Sequence, residues 1–135
     1  MGVLWRYENN AYQPRHHAQK PSFLASCYGR GGKTLYIGGQ NGILPDGKMA
    51  GDTLASQTKQ ALKNILEILK TVGATQENVV KQTIYVVKGH DIKEGYAATQ
   101  KVWGNFPTAI SFAFVENLGV PGALVEIEAI AVLDD

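Results

Sequence analysis

Leu124-Val125-Glu126-Ile127-Glu128-Ala129-Ile130-Ala131-Val132-Leu133 reads as a β-strand with two unlike faces. Side chains alternate across a strand, so Val125, Ile127, Ala129, Ala131 and Leu133 go to one side. Leu124, Glu126, Glu128 and Ile130 go to the other. A strand with one ordinary wet face would carry more charge than two glutamates. Here a carboxylate pair is set between Leu124 and Ile130, as on the wall of an apolar cleft. In such surroundings desolvation or a like-charged neighbour lets a carboxyl group hold or move a proton near neutral pH. The plainer alternative is a solvated sheet edge, since exposed glutamates are common.

Working back from this strand, residues 109–115 form another, apolar on both sides, and residues 116–122 form a turn-rich connection. Residues 79–87 are rich in β-branched side chains and predict a third strand. The clearest helix begins at a cap on Asp52 or Thr53 and stops at Gly73. Its Leu54, Ala61, Leu62, Ile65, Leu66, Ile68, Leu69 and Val72 recur at helical spacing. A second helix begins at Asp91 and runs to about residue 102, with Ile92, Tyr96, Ala97 and Val102 as its expected buried side. Residues 103–107 follow as a loop. Near the start, residues 23–28 and 34–37 are short strand runs flanking Gly29-Arg30-Gly31-Gly32-Lys33, which predicts a β-hairpin. That glycine run lacks the Lys-Ser/Thr ending and the following helix of a phosphate loop. The order is ββ-α-β-α-ββ, an α+β sandwich with helices on one face of a sheet. Sheet strands that are apolar on both sides predict burial against other copies of the chain.

The length of 135 residues and the hydrophobic fraction of 44% fit one domain, with residues 1–20 as a polar N-terminal extension. Thirteen Lys and Arg balance 12 Asp and Glu, for a net charge of +1. That balance lacks the basic face that nucleic acid requires. The lone Cys27 allows no internal disulfide and agrees with a reducing compartment. The N-terminus has no apolar signal segment, and no stretch is apolar enough to cross a bilayer. These features predict a soluble, cytoplasmic protein. Cys27 is expected to be buried and inert. His16 and His17, beside Arg15, lack the further ligands a metal site needs and are expected to form a surface or interface patch.

Several segments in order resemble the Rid (reactive intermediate deaminase) family, also called YjgF-like or L-PSP. They are Leu35-Tyr36-Ile37-Gly38-Gly39-Gln40, Gly51-Asp52, and Gln57 with Gln60-Ala61-Leu62-Lys63-Asn64-Ile65. Gly73-Ala74, Val79-Val80-Lys81-Gln82-Thr83-Ile84-Tyr85-Val86 and the final Val125-Glu126-Ile127-Glu128-Ala129-Ile130-Ala131-Val132 continue the match. The resemblance implies a chorismate-mutase-like α+β fold and a homotrimer whose sheets enclose a central barrel. It implies a small-molecule cleft at each subunit interface that hydrolyses enamines and imines to a carbonyl product and ammonia without a cofactor. Membrane association is not implied.

Residue by residue, the family glutamate that positions water matches Glu126. Gly38 and Gly39 match backbone lining the cleft, with Gly38 where many members have serine. His90 stands where many have asparagine, and as an imidazole it suits proton transfer near neutral pH. An aromatic residue that closes the cleft corresponds to Phe23. Glu128 reads as structural. The main departure is at the arginine that grips the substrate carboxylate in a Pro-Ala-Arg-Ser segment. This chain reads Thr108-Ala109-Ile110-Ser111. Keeping Ser111 and Leu118 in register puts Ile110 at the arginine position. Loss of a charged bidentate contact costs roughly two orders of magnitude in binding. Three readings follow: the substrate lacks that carboxylate, another cation (Arg15, Arg30 or a neighbouring copy's lysine) replaces the arginine, or the cleft only binds ligands. The function expected is therefore an imine or enamine hydrolase acting on something other than the standard 2-imino acid. The alternative is a non-catalytic trimeric ligand-binding protein. Ribonuclease or translation-inhibitor activity, attributed to some relatives, is disfavoured by the charge balance.

Overall fold

The computed structural model describes residues 23–24 and 32–134. The strands are β1 (Phe23–Leu24), β2 (Lys33–Gln40), β3 (Val79–Val87), β4 (Thr108–Val115) and β5 (Val125–Leu133). The helices are α1 (Leu54–Thr71) and α2 (Ile92–Trp103), with a short 3-10 turn at Gln76–Asn78. The sheet runs β1-β4-β3-β5-β2. β5 is antiparallel to both its neighbours, whereas β3 and β4 are parallel. This is the α+β arrangement and the element order expected from the sequence.

The helices cover one face. Val125, Ile127, Ala129 and Ala131 of β5 are buried with Ile37 and Val86 beneath Leu54, Leu62, Ile65 and Leu69 of α1. Each fully buried Leu or Ile contributes on the order of 1.5–3 kcal/mol. Thr53 caps α1 by accepting a hydrogen bond from the Ser56 amide at 3.1 Å. Gly73, at φ 70°, lets the chain leave the helix in a left-handed turn.

Three expectations need correction. Residues 23–28 and 34–37 do not form a hairpin within the described residues. Phe23 and Leu24 pair in parallel with Thr108 and Ala109 at the edge of the sheet opposite β2. The glycine-rich turn signal is local, whereas the partner of β1 is set by the free edge of β4. The buried side of α2 also differs in phase. Ala98 and Trp103 are buried, while Ile92 is 45% and Tyr96 41% exposed, and Ala97 is exposed. The side of α2 that faces α1 includes Gly95, whose position is in contact range of Thr58 and Leu54. Trp103 is the last helical residue rather than part of a loop. At the end of α1, Val72 is exposed.

Gln57, almost fully buried on α1, ties this layer to the loops around β5. Its amide donates to Gly51 O at 3.0 Å and Gly122 O at 3.1 Å, and its Oε1 accepts from the Leu124 amide at 2.8 Å. Gln57→Leu keeps the volume and leaves three backbone groups unpaired. It is expected to cost about 2–4 kcal/mol of stability, read as a lower urea midpoint at unchanged slope.

Candidate functional site

Among the described residues, nothing packs over the face of the sheet away from the helices. Strand register decides which side chains it carries. Glu126 is paired with Tyr85, Glu128 with Thr83, and Ile130 with Lys81. Lys81, Thr83 and Tyr85 are in turn beside Ala109, Ser111 and Ala113 of β4. Glu126, Glu128, Lys81 and Ser111 therefore share one face, opposite the core row of β5, as period-two alternation requires.

Glu126 is half-buried and Glu128 exposed. The difference arises at β2. Ile37 is opposite Ala129 and Gln40 opposite Ile127, so β2 carries one more residue than β5 over this stretch. The bulge holds Gly38 and Gly39, and the Glu126 side chain lies in the space that Gly39 leaves. A Cβ on Gly39 would be 2.5 Å from Glu126 Oε1, whereas one on Gly38 would meet nothing within 4 Å. Of the two glycines expected to line the cleft, only Gly39 is against the carboxylate; Gly38 shares the bulge but does not approach it. Among the described residues, no hydrogen-bond donor or cation meets Glu126. Its oxygens are open to whatever occupies the bare face.

His90 lies half-buried in the turn between β3 and the Asp91 cap of α2. This is the end of the sheet at which Glu126 lies, because the Val87 amide reaches Leu124 O at 3.0 Å. No hydrogen bond joins His90 to Glu126. Ser111 is exposed on β4, and its Oγ accepts a hydrogen bond from Lys81 Nζ at 2.6 Å. The backbone of Phe23 belongs to β1, but its side chain lies outside the described residues, as do Arg15, His16, His17, Cys27, Arg30 and residues 1–20.

The structure does not bring Ile110 to Glu126. Ile110 is paired with Gln82, whose side chain is 1% exposed, and so it stands on the helix-covered face. The open-face residue at the start of β4 is Ala109. Counting from Pro107 without a gap puts the arginine of a Pro-Ala-Arg-Ser segment on the same Ala109. The expected loss of the cation is unchanged, but its position moves by one residue and to the other face. The physical reason is the strand period: a one-residue slip in register exchanges the two faces.

Lys81 did not figure among the site residues expected from the sequence. It is half-buried on the open face beside Ala109, donates to Ser111 Oγ and to Gln82 O at 3.3 Å, and has no carboxylate within 4 Å among the described residues. Its register opposite Ala109 was the missing signal, and register requires the sheet order. Among the described residues there is no group of three or more His, Cys, Asp or Glu that could hold a metal ion. Nor is any helix there long and apolar enough to cross a membrane.

Residues 25–133 match the family model described as Endoribonuclease L-PSP. The chain is similar to the 2-iminobutanoate/2-iminopropanoate deaminase of Homo sapiens, with 37% identity over 105 residues, 74% of this chain and 73% of that protein. It is similar to a RutC family protein of Pyrococcus horikoshii at 32% identity over 116 residues, 85% of this chain and 91% of that one. A solved structure from Yersinia pestis, of the conserved Rid protein family, matches with a TM-score of 0.78 at 33% identity, over 91% of this chain and 97% of that one.

Gly39→Ala places a methyl group against the flexible end of Glu126, which swings away at little energetic cost. The expected result is a melting temperature within a few degrees of the parent and a Glu126 carboxylate displaced from the bulge in a crystal structure. A carboxylate that stayed in place would contradict the packing described.

Proposed function

The chain belongs to the Endoribonuclease L-PSP family, that of the YjgF-like Rid proteins, and from that premise we propose that it hydrolyses reactive imine or enamine intermediates in a cleft shared between copies of the chain. The reaction adds water across C=N and expels ammonia, leaving a carbonyl compound. Glu126 accepts a hydrogen bond from the attacking water and takes up its proton, which then passes to the departing nitrogen. His90, at the same end of the sheet, assists that transfer. The chemistry calls for no cofactor.

The observation that carries this reading is the setting of Glu126: a half-buried carboxylate against Gly39 of the bulge, unpaired among the described residues, on a sheet face that no other described element covers. A carboxylate serving only as a structural acceptor would be met by donors of its own chain. The deaminase relatives supply the reaction class.

The cleft is proposed to form in a homotrimer with the open faces inward. Parallel strand pairs are ordinarily covered on both faces, yet β3 and β4 are covered on one. Tyr36, 76% exposed, is aligned with Ile130 on the same bare face. The absence of an arginine at Ala109 favours a second reading, a trimeric protein that captures a small ligand without transforming it.

Ammonia release from freshly generated imines, both 2-iminobutanoate and an imine that lacks the carboxylate, separates the two. The parent protein is expected to accelerate release, and Glu126→Gln to lower kcat/KM by about 100-fold or more at unchanged melting temperature. Release no faster than in buffer would remove the hydrolase and leave ligand capture. Tyr36→Glu is expected to convert the trimer to monomers in light scattering, since it sets a charge against the face other copies would cover.

A further inference from the structure

The missing arginine leaves the carboxylate of a 2-imino acid without its usual partner, and the open face offers one candidate. We propose that Lys81, with the Ser111 hydroxyl, receives that carboxylate, so that the substrates of this chain remain anionic 2-imino acids. The proposal rests on the hydrolase reading above for its substrate, though not for its binding site.

Lys81 is next to Ala109 in the β3–β4 register, on the face that carries Glu126. It therefore stands beside the residue at which the cation is lost. Its ammonium group is held: one hydrogen bond goes to Ser111 Oγ at 2.6 Å and one to Gln82 O at 3.3 Å. An ammonium has three N–H donors and no acceptor, so one donor remains. Because Lys81 donates into Ser111 Oγ, the Ser111 hydroxyl keeps its own proton to donate elsewhere. An N–H and an O–H from adjacent groups are then available as a two-donor cradle for a carboxylate. Thr83, beside Ser111 in the register, adds a second hydroxyl on the same face. The carboxylates paired with basic side chains among the described residues are Glu67 with Lys70 and Glu116 with Lys88, neither of them on this face. Lys81 is thus a half-buried cation with no counter-ion among the described residues.

The same register says that one copy is not enough. Tyr85, not Lys81, is opposite Glu126. Four residues of strand separate the two levels, roughly 13 Å at about 3.3 Å per residue. A small imino acid cannot touch both. The carboxylate cradle of one copy must meet the Glu126 of another, and the site is incomplete without the partner copy.

The test compares the parent protein with Lys81→Met and Lys81→Arg, each checked for melting temperature and oligomeric state. Kinetics with 2-iminobutanoate are paired with calorimetric binding of 2-oxobutanoate and of its uncharged amide. Lys81→Met is expected to lower kcat/KM about 10- to 100-fold, mostly through KM. It should abolish the preference of 2-oxobutanoate over the amide, and Lys81→Arg should restore both. An unchanged KM and an unchanged preference in Lys81→Met would overturn the proposal while leaving the hydrolase intact. Should the parent protein hydrolyse nothing, the hydrolase reading fails. Binding then decides alone: a preference for 2-oxobutanoate that is lost in Lys81→Met supports the cradle, and its absence overturns it. If Lys81→Met does not fold, the parent protein is acylated at lysine with and without 2-oxobutanoate and mapped by mass spectrometry. Protection of Lys81 but not of exposed Lys59 supports the cradle, and equal labelling overturns it.

Discussion

The antiparallel seating of β5 between β2 and β3 is the constraint on which the structure turns. Its inner row, Val125, Ile127, Ala129 and Ala131, has to meet α1, or the core loses its floor. Once that row is fixed, the strand period leaves Glu126 and Glu128 no choice of face. Fold stability and carboxylate placement are therefore one decision, made by alternation. The Gly38-Gly39 bulge then separates the two glutamates, because only Glu126 lies over the space that an absent Cβ provides.

Several residues that carry the family resemblance have a structural explanation. Gln57 bridges Gly51, Gly122 and Leu124. Asn64 donates to Asn41 O and Ile43 O, and Gln60 holds the other end of the Asn64 amide at 2.8 Å. Asn41, itself buried, donates to Val125 O at the start of β5. One face of α1 thus pins the loop after β2 to the end of β5 that bears Glu126. A pattern of amides on a helix, which invites a catalytic reading, works here by satisfying buried backbone groups.

The face that bears Glu126 combines a parallel strand pair, an exposed tyrosine, and a carboxylate and an ammonium that have no ionic partner among the described residues. At the start of β4, where the strand offers Ala109, the neighbouring strand carries a cation, Lys81, at the same level.

Local pattern in the sequence determined the elements. The period of β5, the Thr53 and Gly73 limits of α1 and the apolar run of β4 are short-range properties, and so was the place of Glu126 on a face apart from the core. The resemblance to Rid proteins rested on segments whose order survives in the sequence. Whatever depended on which strand lies beside which was decided only in three dimensions. The partner of β1, the phase of α2 against α1, the removal of Ile110 to the covered face and the arrival of Lys81 beside Ala109 all follow from how distant segments meet. One residue of slip inverts a strand, and nothing local to either strand records the alignment between them.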